Sequence, residues 1–185
     1  MTEKERHLLI AIARQSIEEA LTGKASDAYQ KAITDPPASL CTDEGAFVTL
    51  KHRANGALRG CIGNIIGAAP LYELVRRLAR ESAFHDPRFS PVRLAELAHL
   101  RIEISVLSVP TEIERADQIM LGRDGVILTC GMHRALFLPQ VAPEQGWDRD
   151  TMLDHLAAKA GLPPQAWKQP NCHFSVFQAQ VYEED

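Results

Sequence analysis

Cys61 lies in the run Leu58-Arg59-Gly60-Cys61-Ile62-Gly63, a thiol bracketed by Gly60 and Gly63 with an arginine two residues before it. Glycine permits tight turning and close backbone approach, so a side chain held there can be presented to a ligand. A thiol becomes a nucleophile when a cation, a histidine or a helix N-terminus favours its thiolate. Arg59 and the helix that follows could supply two of these, with His52 or His85 as the base. His85, Asp86, Pro87 and Arg88 leave one proline-fixed loop together, a common location for catalytic groups. In that arrangement Asp86 orients His85, while Arg59 and Arg88 hold an anionic substrate group. The same residues also have a structural reading. Cysteine packs as a small apolar residue, and the glycines could serve a bulge that brings a helix close to a sheet.

Other candidates carry less chemistry. Arg76, Arg77 and Arg80 could bind phosphate or carboxylate, but Glu73 precedes Arg77 by four residues and Glu81 follows it by four, which fits a solvated helix face. Cys172 and His173 are adjacent, so in a strand they point to opposite faces and cannot share one metal ion. A ligand set of Cys61, His85 and His173 needs the fold to unite them, and no metal site is expected. Leu138-Pro139-Gln140-Val141, Glu144 and Trp147 could line a pocket or form a proline-set turn with the indole as core.

The chain has 185 residues, 45% of them hydrophobic, and a formal charge of −4, as an ordinary globular protein does. That charge argues against a nucleic-acid binder, and no apolar stretch approaches the roughly 20 residues needed to cross a bilayer. With an N-terminus of mixed charge and no signal sequence, the expectation is a cytoplasmic protein without membrane contact. Four cysteines, at 41, 61, 130 and 172, form no Cys-x-x-Cys pair, and free thiols are expected.

Several elements must position these residues. Thr2 and Glu5 have capping-box spacing, and Leu8, Leu9, Ile12, Ala13 and Ile17 recur at helical intervals before Gly23. Residues 46–50 and 58–62 read as a hairpin around Asn55-Gly56. Leu71, Leu74, Val75, Leu78 and Ala79 predict a helix after Pro70, and a short helix runs from Ser90-Pro91 through Leu97. Arg101 to Val109 alternates as a half-buried strand. A second hairpin spans 125–129 and 134–138, a helix capped by Asp148 or Asp150 ends at Gly161, and one last strand covers Phe174 to Tyr182. Hairpins mixed with helices indicate an α+β fold of mainly antiparallel or mixed sheets. The proline-rich turns near 36 and 110 are possible lobe boundaries.

The chain resembles the AMMECR domain family over nearly its whole length. The resemblance rests on Leu58 to Gly63, on Asp86-Pro87-Arg88-Phe89, and on Leu138-Pro139-Gln140-Val141 with Glu144 and Gly146-Trp147, in that order. It implies a single AMMECR-like domain over 1–185, built of two interleaved α/β lobes with a cleft between them. Prokaryotic members are similar to protein A of the AmmeMemoRadiSam system, which implies pathway partners of Memo-like and radical S-adenosylmethionine type. The family offers no established reaction to transfer. The resulting expectation is an enzyme or binding component for a small anionic ligand, acting near Cys61 with His85 and Asp86 as catalytic groups. Arg59, Gly60, Gly63 and Arg88 are its ligand-binding residues, and no tightly bound cofactor is expected. The alternative is a non-catalytic interaction module for a pathway partner.

Overall fold

In the computed structural model, which describes residues 1–184, the chain runs α1 (Glu3–Thr22), α2 (Asp27–Thr34), β1 (Gly45–His52), β2 (Leu58–Asn64), α3 (Leu71–Phe84) and α4 (Leu94–Leu97). It continues through β3 (Leu100–Leu107), β4 (Thr111–Ile113), β5 (Gly125–Cys130), β6 (His133–Phe137), α5 (Val141–Gln145), α6 (Arg149–Lys159), β7 (Cys172–Phe177) and β8 (Ala179–Glu183). Two four-stranded antiparallel sheets result, ordered β2-β1-β3-β8 and β4-β7-β5-β6, so the fold is α+β as the sequence indicates.

The chain divides into two compact units, one of Met1–Leu107 with the segment from Gln180 onward, the other of Ser108–Ala179. The boundary agrees with the proline-rich turn near 110, whereas the one near 36 lies inside the first unit.

In the first unit, Thr2 and Glu5 close a capping box on α1, and Gly23 ends it with a φ of 70°, which glycine adopts without strain. Strand alternation sends Ala46, Val48, Leu50, Ile102 and Ile104 into a core against Leu9, Ala13 and Ile17 of α1 and Leu71, Leu74, Val75 and Leu78 of α3. The opposite face carries Thr49, Lys51, Cys61 and Glu103, with Lys51 Nζ 2.5 Å from Glu103. Gly56, at a φ of 69°, makes the reversal between β1 and β2.

The second unit packs Met152, Leu153 and Leu156 of α6, capped by Asp148, on Val126, Leu128 and Phe174. Here the expectation of free thiols is corrected: Cys130 and Cys172 form a disulfide between facing residues of β5 and β7, their Cα atoms 4.2 Å apart. Strand register brings together two cysteines 42 residues apart, which no local spacing reveals.

Two further differences have local causes. The polar stretch before Asp35 contains α2, because Ser26 caps it and Tyr29 and Ala32 are buried. The single strand expected at the end is two strands in different sheets, separated at Gln178. Phe177 lies over Gly125 of β5, while Tyr182 enters the core of the first unit.

Candidate functional site

The site begins with an edge strand. β2 pairs only with β1, and in that position its outward backbone groups need partners from elsewhere. Asp86 supplies one: its Oδ2 accepts the Cys61 N–H at 2.8 Å. Its Oδ1 accepts the Arg88 N–H at 3.1 Å, an Asx turn spanning Pro87. The same carboxylate receives Arg88 Nε at 2.9 Å and Nη2 at 2.7 Å, and Nη2 also reaches the Cys61 carbonyl at 3.2 Å. The aspartate and the arginine therefore grip the cysteine's backbone at both its donor and its acceptor. The Asp86 side chain is 2% exposed, whereas that of Arg88 is 54% exposed.

These bonds set the electrostatics. Hydrogen bonds from the Arg88 guanidinium, opposed by burial and aided by the Cys61 N–H, hold the Asp86 carboxyl well below its ordinary value. The same pairing raises Arg88. Both oxygens of Asp86 are thus committed to Cys61 and Arg88, and His85 is not oriented by it.

The His85 imidazole lies 3.4 Å from Glu81 and is 66% exposed, on the outer side of α3. Arg59 is also committed: its Nε lies 2.5 Å and its Nη2 3.1 Å from the Glu96 carboxylate, and Nη2 is 2.8 Å from the Ser90 carbonyl. That bidentate pair holds the Glu96 carboxyl below its ordinary value. Arg59 is the residue at which the β1–β2 register shifts, between the pairs Leu50↔Gly60 and Lys51↔Leu58, and this bulge aims it toward α4. The guanidinium carbons of Arg59 and Arg88 lie 5.7 and 5.5 Å from the centre of the Phe89 ring.

The two glycines each leave room that a side chain would fill, Gly60 for a backbone and Gly63 for a ring. A Cβ on Gly60 would sit 2.2 Å from the Ser82 carbonyl oxygen, so β2 packs directly on the last turns of α3. A Cβ on Gly63 would enter the Phe47 ring at 2.1 Å. Ser82, 1% exposed, accepts the Ile62 N–H at 2.9 Å and donates to the Val48 carbonyl at 2.7 Å, tying α3 to both strands. Cys61 therefore neighbours the C-terminal half of α3 and not its N-terminus, the wrong end of the helix dipole for stabilising an anion. Its partly exposed sulfur accepts the Thr49 hydroxyl at 3.2 Å, on the sheet face opposite the helical core.

Arg59, Cys61, Asp86, Arg88 and Phe89 thus come together, Gly60 lies against Ser82 and Gly63 against Phe47, and His85 stands apart. Ser82, Thr49 and Glu96 escaped sequence reasoning. Ser82 had a signal, a polar residue four positions after Leu78 on an apolar stripe. Glu96 had none.

The remaining candidates take structural places. Arg76 and Arg80 meet Glu19 of α1, with Arg80 at 2.8 Å, in place of the expected pairs around Arg77. His173 faces Glu112 at 3.7 Å. Trp147 stacks on His155 with ring centres 4.0 Å apart and packs against the second core. Among the described residues, no group of three His, Cys, Asp or Glu side chains is placed to hold a metal ion, and no helix is long and apolar enough to cross a membrane.

The class defined by this geometry is an α+β protein in which an aspartate loop clamps a glycine-bracketed cysteine on an edge strand. The chain belongs to the AMMECR1 family, whose model matches residues 10–182. Protein MK0488 of Methanopyrus kandleri is 39% identical over 193 residues, covering 100% of this chain and 91% of that protein. Protein PH0010 of Pyrococcus horikoshii is 42% identical over 187 residues, covering 96% of this chain and 88% of its own length. The crystal structure of uncharacterized protein PH0010 superposes with a TM-score of 0.84, covering 100% of this chain and 94% of that one.

Proposed function

We propose that this chain is a non-catalytic binding component whose recognition surface is centred on Cys61 and Arg88. The observation that carries the reading is the commitment of the Asp86 carboxylate: both oxygens are bonded to Cys61 and Arg88, leaving none for a general base. Arg59 is likewise neutralised by Glu96, and His85 is drawn to Glu81. Asp86 and Arg88 fix the backbone that presents the thiol, while Arg59 and His85 are turned to Glu96 and Glu81. Arg88 is paired with Asp86 as Arg59 is with Glu96, but its guanidinium is half-exposed and, with the Cys61 side chain, forms the contact surface for a carboxylate or phosphate on the partner.

The partners proposed are the Memo-like and radical S-adenosylmethionine proteins that the family resemblance implies. The test is affinity measurement with each purified partner against wild-type protein, Cys61→Ser and Arg88→Ala, alongside assay of the pathway product. Arg88→Ala should weaken binding about tenfold or more, the scale of one charge-assisted contact. Cys61→Ser should affect binding and product together or neither. Retained binding with abolished product in folded Cys61→Ser would establish thiol chemistry and overturn the proposal.

A further inference from the structure

The Cys130–Cys172 bridge is placed for chemistry as well as for staple work. It joins the last residue of β5 to the first residue of β7, the terminal pair of that ladder. Five further pairs, from Gly125↔Phe177 to Thr129↔His173, continue the ladder on one side of it. On one side the chain turns through Gly131 and Met132, the latter 99% exposed. On the other it leaves the short turn at Ala166–Lys168, to which the Cys172 N–H is tied through the Gln169 carbonyl at 3.0 Å. Ladder ends open locally at far lower cost than ladder centres.

The two sulfurs have unequal surroundings. Cys130 is 5% exposed and belongs to the second core with Leu128, Phe174 and Trp167, while Cys172 only packs against its edge. We infer that Cys130–Cys172 is a reversible thiol–disulfide exchange site, entered by a dithiol reductant at Cys172. The dithiol's thiolate attacks the Cys172 Sγ, forming a mixed disulfide as the Cys130–Cys172 bond breaks. Cys130 leaves as a thiolate and takes a proton from solvent. The second thiol then attacks the dithiol's own bridged sulfur and releases Cys172. The dithiol is thereby oxidised to its disulfide and the protein pair is reduced by two electrons. Both thiols are apolar enough to remain packed, so the sheet persists while the 131–133 turn and the 166–172 segment loosen.

The test uses the full chain, prepared oxidised and treated with increasing dithiothreitol, then quenched with N-ethylmaleimide and weighed intact. Before reduction only Cys41 and Cys61 should label, the two free cysteines. The reduction rate should rise in proportion to dithiothreitol and exceed the global unfolding rate at least about tenfold, with far-ultraviolet circular dichroism retained. A rate that plateaus at the unfolding rate, or four free thiols in the oxidised protein, would overturn the inference. For the point of entry, Cys172 in Cys130→Ala should react with an aromatic disulfide reagent about tenfold or more faster than Cys130 in Cys172→Ala. Equal rates would sink it. Peptide mapping of the mixed disulfide formed by wild-type protein with glutathione gives the same readout without variants, and capture at Cys130 would count against entry at Cys172.

Discussion

Replacing Asp86 with asparagine keeps the side chain's size and removes its charge, and the consequence follows from four bonds. The carboxylate accepts from the Cys61 N–H, the Arg88 N–H, and the Arg88 Nε and Nη2. An amide has one accepting oxygen, so whichever way it turns its nitrogen faces two donors. Turning the oxygen toward the Cys61 N–H preserves the most buried bond and sacrifices those at Oδ1. Losing hydrogen bonds to a charged acceptor costs about 1.5–3 kcal/mol each, offset because the half-exposed guanidinium regains water, for a net cost of about 2–4 kcal/mol. Asp86→Ala also strands the Cys61 N–H and should cost about 3–5 kcal/mol. Arg88→Ala leaves the carboxylate its backbone donors and should cost least, about 1–2 kcal/mol. Amide exchange along β2, read by mass spectrometry, isolates this unit from the rest of the chain. Protection at Cys61 should fall about 30- to 1,000-fold in Asp86→Asn, the same energy converted at 1.36 kcal/mol per decade. An Asp86→Asn cost below about 0.5 kcal/mol, or a larger loss in Arg88→Ala, would refute the clamp.

Further expectations follow from the same contacts. The depressed Asp86 carboxyl, held down first by Arg88, contributes stability that is fully present above its unfolded value of 3.8 and lost as pH falls below it. Denaturant titrations from neutral to acid pH should therefore show the gap between wild type and Asp86→Asn narrowing below about pH 4, and a constant gap would contradict the assignment. Gly60→Ala drives a methyl into the backbone of Ser82 and should destabilise by about 1–3 kcal/mol in urea unfolding. Gly63→Ala places a methyl 2.2 Å from Phe47 Cγ, which lies on the axis about which the ring turns, so the whole side chain must shift and a cost of about 1–3 kcal/mol is expected here too. The Cys130–Cys172 bridge closes a loop of 42 residues, so removing it should cost about 4 kcal/mol by chain entropy, seen as a lower urea midpoint for the second unit.

Much of the frame was legible in the sequence because it rests on local rules. The Thr2–Glu5 box, the Asn55-Gly56 reversal and the Leu71 to Ala79 stripe all act within a few residues, and each marks a real element. The clustering of Arg59, Cys61, Asp86 and Arg88 was also legible, but not its chemistry. Which carboxylate Arg59 meets depends on the bulge that turns it toward Glu96, 37 residues away. The separation of His85 from Asp86 arises because α3 continues to Phe84, keeping His85 on the Glu81 face while the Asx turn directs Asp86 inward. The disulfide and the break at Gln178 depend on which strands pair, a tertiary outcome that no window of sequence contains.

Amide exchange of the wild-type protein with and without a purified pathway partner tests the binding reading most directly, because it reports contact residue by residue. Residues 58–64 and 86–90 should gain protection when either the Memo-like or the radical S-adenosylmethionine protein is added, and in Arg88→Ala the partner should add no protection beyond that variant's own free-state pattern. A partner footprint elsewhere, with these segments unchanged, would contradict a recognition surface centred on Cys61 and Arg88.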